Sequence, residues 1–235
     1  MVAPGTASPT TLRVTGTATA DGLRQAKELG FVSRLARYAS GNANYSAVLG
    51  WRAGAAELLV SSDLLGLAST LPEPLKKEAQ SRLPLRFQTV LLPPAAGTTA
   101  ARDRLSVSLG GASQVIYERD LSGPLPRVLR GTVAIGADTL DALALPAQGV
   151  NANLHLQQFN ADAWGDVLAH VTAVGAAPAS AGDVAALAQS YLPTSLAVRA
   201  ENLTFGARTF NHVVIGAHRE GLLWLGNVDA TELNG

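Results

Sequence analysis

The sequence contains no cysteine, which excludes disulfide cross-links and thiolate metal ligands and leaves the redox state of its compartment open. Charged residues make up only 15% of the chain, against about 25% in typical soluble proteins. The 18 basic and 18 acidic residues cancel, which removes the electrostatic case for a nucleic-acid partner. Aromatic residues are also scarce at 5%, so the hydrophobic residues are mainly Ala, Leu and Val, which suit smooth aliphatic surfaces.

Long apolar runs are missing as well. No run approaches the roughly 18 residues that a membrane-spanning helix needs. The N-terminus, MVAPGTASPTT, lacks the basic and apolar regions of a signal peptide. We interpret it as a start codon placed on an excised segment, and the C-terminal VDATELNG stops where a strand or turn would continue. We therefore expect residues 1–235 to form a single segment of a longer protein.

What the chain does contain is alternation of apolar and other residues with a period of two, which is typical of β-strands. The alternating runs lie at Thr11–Thr17, Tyr45–Trp51, Ala56–Val60, Leu85–Leu91, Leu105–Leu109, Val115–Tyr117, Val128–Ile135 and Val150–Leu156, and in a C-terminal meander at Leu196–Glu201, Phe210–Ala217 and Leu222–Asn227. They predict a mainly β protein with short inserted helices. We expect a bent antiparallel sheet whose apolar face forms a groove, open or only partly plugged by helix.

Helical spacing interrupts this alternation at two places. The predicted helices are Ala20–Ser40, which Gly30 interrupts, Asn160–Val174, which Asn160 caps, and the short Asp183–Tyr191. In the second helix, Trp164, Leu168 and Val171 form one stripe, which we expect to lie against the apolar face of the sheet.

No group of side chains has the spacing of a catalytic or metal site. The four histidines, His155, His170, His212 and His218, have no histidine or carboxylate neighbour at helical metal-ligand spacing. Ser61-Ser62-Asp63 lacks the flanking glycines of a nucleophile elbow, and Gly110-Gly111 lacks the lysine and helix of a phosphate loop. We predict that the chain is not an enzyme and uses neither a metal nor a cofactor.

A family resemblance is carried by WRAGAAELLVSSDLLGLASTLPEPLKKEAQSRLPLRFQT (Trp51–Thr89). It resembles a segment typical of the YhdP family, AsmA-superfamily proteins of Gram-negative envelopes. There, a strand ending in Trp precedes L-x-V-x-S-D-L-x-G-L, L-P-x-P-L-x-K and P-L-x-V. Later matches follow in order at Arg130–Gly136, Leu145–Trp164 and Ala197–Gly235. Asn153 and His155 depart from the family's usual Gly and apolar residues.

The resemblance implies a very long periplasmic protein anchored in the inner membrane, with the anchor outside this segment. Its relatives fold as repeated antiparallel sheet bent into an elongated groove with an apolar interior. They are implicated in moving phospholipid between the inner and outer membranes. The implied partners are phospholipid acyl chains, neighbouring segments of the same long chain and other envelope proteins.

Within such a groove we interpret Ser61–Asp63 and Pro72–Lys77 as turns and a solvated crossover between strands. Asp63 is expected to accept backbone N–H bonds in its turn. We assign the lipid-contacting face to the C-terminal meander, where apolar residues alternate with polar ones. The candidates are Leu196, Val198, Phe210, Val214, Leu222 and Trp224. This assignment depends on register, because a slip of one residue inverts a whole strand.

Two other hypotheses remain open. In the first, the protein is a structural or interaction module of the envelope that conducts no lipid, and the helices Ala20–Ser40 and Asn160–Tyr191 close the apolar face. In the second, it is a hydrolase or transferase. The three tryptophans, Trp51, Trp164 and Trp224, either face a ligand or anchor their strands and helix to a core.

Overall fold

The computed structural model of the chain describes residues 11–52, 55–93, 100–123, 125–136, 144–172, 190–221 and 223–233. The strands are β1 Thr11–Thr19, β2 Ala39–Arg52, β3 Ala55–Ser62, β4 Leu67–Ser69, β5 Leu85–Leu92, β6 Arg102–Leu109, β7 Ser113–Asp120, β8 Arg127–Ile135, β9 Gly149–Asn160, β10 Ser195–Phe205, β11 Arg208–Glu220 and β12 Leu223–Asp229. They form one open, curled sheet in the order β1-β2-β3-β5-β6-β7-β8-β9-β10-β11-β12, and β4 pairs with the start of β2. The prediction of a mainly β protein with short helices is confirmed.

The sheet is mixed, so the prediction of an antiparallel sheet is wrong for two of its strand pairs. β8, β9 and β10 run parallel to one another, whereas the other neighbours along the sheet are antiparallel. Parallel neighbours need a crossover of a dozen residues or more. The connection between β8 and β9 supplies one crossover, and the connection between β9 and β10, which begins with helix α3 (Ala161–Thr172), supplies the other. Strand alternation looks the same in both orientations, so the sequence pattern did not reveal the difference.

The region predicted as one helix at Ala20–Ser40 consists of short pieces. These are α1 (Ala20–Gln25), α2 (Phe31–Leu35) and the 3₁₀ turns Lys27–Leu29 and Ala36–Tyr38. Gly30 adopts φ 55°, a conformation that ends a helix and suits glycine. We call Ala20–Tyr38 the cap segment.

Helix α3 begins at its predicted cap, since the Asn160 Oδ1 accepts a hydrogen bond from the Ala163 N–H at 2.9 Å. Its buried stripe differs from the prediction. Val167 and Val171 are buried, whereas Leu168 is 51% exposed. Both valines pack against Leu71, because the loop before β5 and the cap segment supply the apolar surface that this helix covers. The partly buried members of this cluster are Leu35, Tyr38, Leu75 and Trp164.

The connection between β3 and β5, residues 63–84, combines a turn with a packed loop. Asp63 Oδ1 accepts the Leu65 N–H at 3.1 Å, which confirms the prediction for Asp63. The predicted turn at Ser61–Asp63 is wrong for Ser61 and Ser62, which belong to β3. The prediction of a solvated crossover at Pro72–Lys77 is wrong for Lys77, which is buried, and Leu71 just before this range is buried as well. The Lys77 ammonium donates to the Leu67 carbonyl at 2.7 Å and to the Glu78 carbonyl at 3.0 Å. Burial lowers the pKa of this amino group.

The C-terminal meander forms as predicted, with hairpins between β10 and β11 and between β11 and β12. Gly206 and Gly221 take positive φ in the two turns. The predicted turn at Ala53-Gly54 and most of the predicted helix at Asp183–Tyr191 lie outside the described residues.

Candidate functional site

One row of residues crosses the whole sheet, with a single member on each strand of the path. Directly paired residues on neighbouring strands project to the same side of a sheet, so the register defines the row. Its members are Val14, Ala47, Val60, Phe87, Val107, Val115, Val133, Ala152, Leu196, Ala217 and Gly226. None carries a polar side chain. We call it the apolar row; ten steps of about 4.8 Å between strands give it a length of about 48 Å.

The adjacent row, one residue along each strand, projects to the opposite side and has the opposite character. It consists of Thr15, Ser46, Ser61, Arg86, Ser108, Gln114, Ala134, Asn153, Ala197, Gly216 and Asn227. No apolar side chain in it is larger than that of alanine. The two rows therefore differ in character across the full width of the sheet. We call the side of the apolar row the apolar face and the opposite side the polar face.

A second row on the apolar face, two residues along each strand, is also mostly apolar. From β3 to β12 it runs through Ser62, Leu85, Leu109, Ser113, Ile135, Leu154, Val198, Ile215 and Val228. Most side chains in the apolar row itself are half-buried, and Ala152 is the member that is fully buried. Most members of the apolar row therefore keep part of their surface exposed.

The register separates the candidate residues taken from the sequence. Leu196 is in the apolar row, Val198 is in the second row, and Trp224 pairs with Arg219 on the same face. Phe210 and Val214 point to the polar face. Leu222 lies outside the described residues. The six therefore do not share one face, while their role in contacting lipid stays a prediction.

The reason for this separation is the hairpin between β10 and β11. Its two-residue turn pairs Phe205 with Arg208, so even-numbered residues of β10 face odd-numbered residues of β11. Val198 accordingly pairs with Ile215 and not with Val214. Members of the apolar row on the central strands, such as Phe87 and Val107, were not among the candidates. The alternation at Leu85–Leu91 and Leu105–Leu109 could have identified them from the sequence.

An ion pair between Arg119 and Asp103 lies on the apolar face. Arg119 Nε and Nη2 donate to the two carboxylate oxygens of Asp103 at 2.9 and 2.5 Å. Tyr191 lies beside this pair, since its hydroxyl oxygen is 3.5 Å from Arg119 Nη1. Its ring packs edge-on against Tyr117, and its carbonyl accepts the Tyr117 hydroxyl at 3.1 Å. Burial, together with the nearby Tyr191, raises the pKa of Tyr117 to about 12. The ion pair thus adds no net charge to the apolar face.

The polar face holds a buried carboxylate at Glu118. Its two oxygens accept from Arg104 Nη2 at 2.9 Å and from Arg130 Nε at 2.7 Å. Burial alone would raise the pKa of Glu118, but the hydrogen bonds and positive charges of Arg130 and Arg104 outweigh it and lower the pKa. This triad ties β6, β7 and β8 together on the side away from the apolar row.

Metal-ligand geometry is not found in the described part of the chain, where no three His, Asp or Glu side chains converge. His212 and His218 each lie next to one glutamate at the surface, Glu201 at 3.5 Å and Glu220 at 3.4 Å. None of the described helices has both the length and the apolar character needed to cross a membrane.

Comparison with known proteins agrees with the resemblance in the sequence. The family model described as YhdP protein matches residues 3–235, nearly the whole chain. No curated protein and no solved structure matches it. On the extent of the family match, this chain belongs to the YhdP family.

Proposed function

We propose that this segment carries phospholipid acyl chains along its apolar face, as one part of a protein that moves phospholipid between the inner and outer membranes. The observation that supports this function best is the unbroken apolar row across eleven strands. An acyl chain gains about 0.8 kcal/mol for each CH₂ group removed from water. An unpaired charge in its path would be costly. Continuity of the row therefore matters more than any single side chain.

Family membership supports the same proposal, because the YhdP family suggests lipid transport in the envelope. We place the segment in the periplasm, in a protein whose inner-membrane anchor lies elsewhere in its chain. Neighbouring segments of that chain are the proposed partners at the sheet edges. Apolar-face residues are exposed at both edges, Leu12 and Val14 on β1 and Trp224 and Val228 on β12.

Photo-crosslinking in living cells tests the proposal. A photoreactive amino acid at Val107 or Val115, in the full-length envelope protein, should capture phospholipid that mass spectrometry identifies. The matched controls are Ser108 and Gln114, the next residues on the same strands, which face the other way. We expect capture from the two valine positions and little from the controls.

Two outcomes would reject the transport proposal. Equal capture from both faces would mean that lipid contact is nonspecific. No capture from either face, together with no phospholipid in the purified protein, would favour the alternative of a closed structural or interaction module.

A further inference from the structure

A cavity of about 550 Å³ lies between the cap segment and the sheet, at the strand ends of β1, β2, β3 and β5. Such a volume falls within the range of about 300–1,000 Å³ that is usual for small-molecule sites. Tyr45, Val60 and Leu85 of the sheet form part of its floor, and Leu23, Leu29 and Val32 of the cap segment form part of its roof. Val60 is also a member of the apolar row, so the cavity opens directly from that row.

The lining chemistry excludes a charged ligand. Among the described residues, no charged side chain lines the cavity, and apolar atoms dominate its wall. The hydroxyls of three lining residues already have protein partners: Thr17 bonds Asn44 at 2.8 Å, Thr19 accepts the Gly22 N–H at 3.0 Å, and Ser62 donates to the Asn44 carbonyl at 2.7 Å. A headgroup phosphate or carboxylate inside the cavity would lose its hydration without finding a counter-charge.

The roof presents apolar surface that the protein itself leaves uncovered. Leu29 is 45% exposed and Val32 is 50% exposed, although both line this cavity. A hydrocarbon chain would remove these side chains from water and fill the space. Another cavity, about 620 Å³ beside Glu73, His155 and Gln157, has a more polar wall and does not match a hydrocarbon in this way.

We propose that the cavity under the cap segment holds one hydrocarbon tail, in a side site that branches from the apolar row. This proposal rests on the proposed function. The tail belongs to a phospholipid or to a free fatty acid, and the two arms of the experiment distinguish these sources. The site differs from the open row because it encloses the chain between sheet and cap segment and excludes its headgroup.

Binding of cis-parinaric acid, a fluorescent polyene fatty acid, to the purified chain tests the site. Val32→Trp and Leu29→Trp fill the cavity from its roof, where both side chains have room. Leu168→Trp is the matched control, because Leu168 also lies on a helix and is 51% exposed but does not line the cavity. We expect each roof variant to weaken binding at least about tenfold, or about 1.4 kcal/mol, and the control to bind as the wild type does. Melting temperatures check that all three variants fold.

A second arm presents the same polyene chain esterified in phosphatidylcholine vesicles. Transfer to the protein from vesicles would identify a phospholipid tail as the occupant, and binding of the free acid alone would identify a fatty acid. Roof variants that fold and bind as tightly as the wild type would overturn the site, as would an equal loss in Leu168→Trp. Capture of lipid at Val107 without parinaric acid binding would reject the side site and leave the transport proposal standing.

Discussion

Replacing Glu118 by glutamine should destabilise the protein in a way that depends on pH. The Glu118 side chain is 4% exposed and accepts one hydrogen bond from each of two arginines. A hydrogen bond to a charged group contributes about 1.5–3 kcal/mol. The arginine side chains are 48% and 37% exposed, so water replaces part of the hydrogen bonding to the carboxylate that they lose. We therefore expect the free energy of unfolding at pH 7 to fall by about 2–3 kcal/mol, somewhat less than the roughly 3–5 kcal/mol typical of a broken, fully buried pair.

The pH dependence follows from the lowered pKa of Glu118. A carboxyl whose pKa is lower in the folded than in the unfolded protein stabilises the fold above its unfolded pKa, and this contribution is lost as the pH falls through the folded pKa. The unfolded pKa is near 4.5. The difference in stability between wild type and Glu118→Gln should therefore be full at pH 7 and should narrow as the pH falls below 4.5.

Urea unfolding, followed by circular dichroism at pH 7 and at several values down to pH 3, measures this difference. Glu201→Gln serves as the control, because Glu201 is an exposed strand residue on the same face and its loss should change stability by no more than about 0.5 kcal/mol. The reasoning would be refuted if Glu118→Gln differed from wild type by less than the control at pH 7. It would also be refuted if the difference stayed constant to pH 3.

Three further predictions concern packing and titration. Val171→Ala should lower the free energy of unfolding in urea by about 2–3 kcal/mol, because Val171 is 1% exposed. Leu168→Ala should lower it by less than about 0.5 kcal/mol, because Leu168 is half-exposed. Equal losses would contradict the α3 packing. Gly131→Ala should lower stability by about 1–3 kcal/mol, since its Cβ would lie 2.4 Å from the Tyr117 ring and 2.9 Å from the Ile116 carbonyl oxygen, and an unchanged melting temperature would argue against this contact. Ultraviolet titration at alkaline pH should show one tyrosine ionising near pH 12 that is missing in Tyr117→Phe, and the stability from Tyr117 should be lost between about pH 10 and 12.

The sequence predicted the strands well because each one carries its own alternation. Leu105, Val107 and Leu109 indicate a strand with one apolar side whatever its neighbours are. Local chemistry at the α3 cap and in the Asp63 turn was also predictable, because Asn160 and Asp63 bond groups within three residues. These features depend on short stretches of chain, and the structure confirms them.

Relations between strands were harder to predict. Which of Val198 and Val214 joins the apolar face depends on the number of residues in the turn between them, and the alternation is equally consistent with either answer. The parallel pairing of β9 with β8 and β10 depends on where the crossovers return the chain. For α3, the choice between Leu168 and Val167 for burial depends on the position of Leu71, nearly a hundred residues earlier in the chain. Residue patterns within one element carry no information about these distant partners.

The geometry of the apolar row limits the ways in which the length of such a protein can change. Each strand contributes one residue to the row, so its length is set by the number of strands and not by the length of any strand. Duplication of one hairpin would lengthen the row by about 10 Å, two strand spacings, without altering an existing contact in the middle of the sheet. An insertion of one residue within a strand would instead turn the following part of that strand over and place a polar side chain in the row. Gain or loss of whole hairpins is therefore the change in length that this architecture tolerates, whereas single-residue insertions should be confined to its turns and loops.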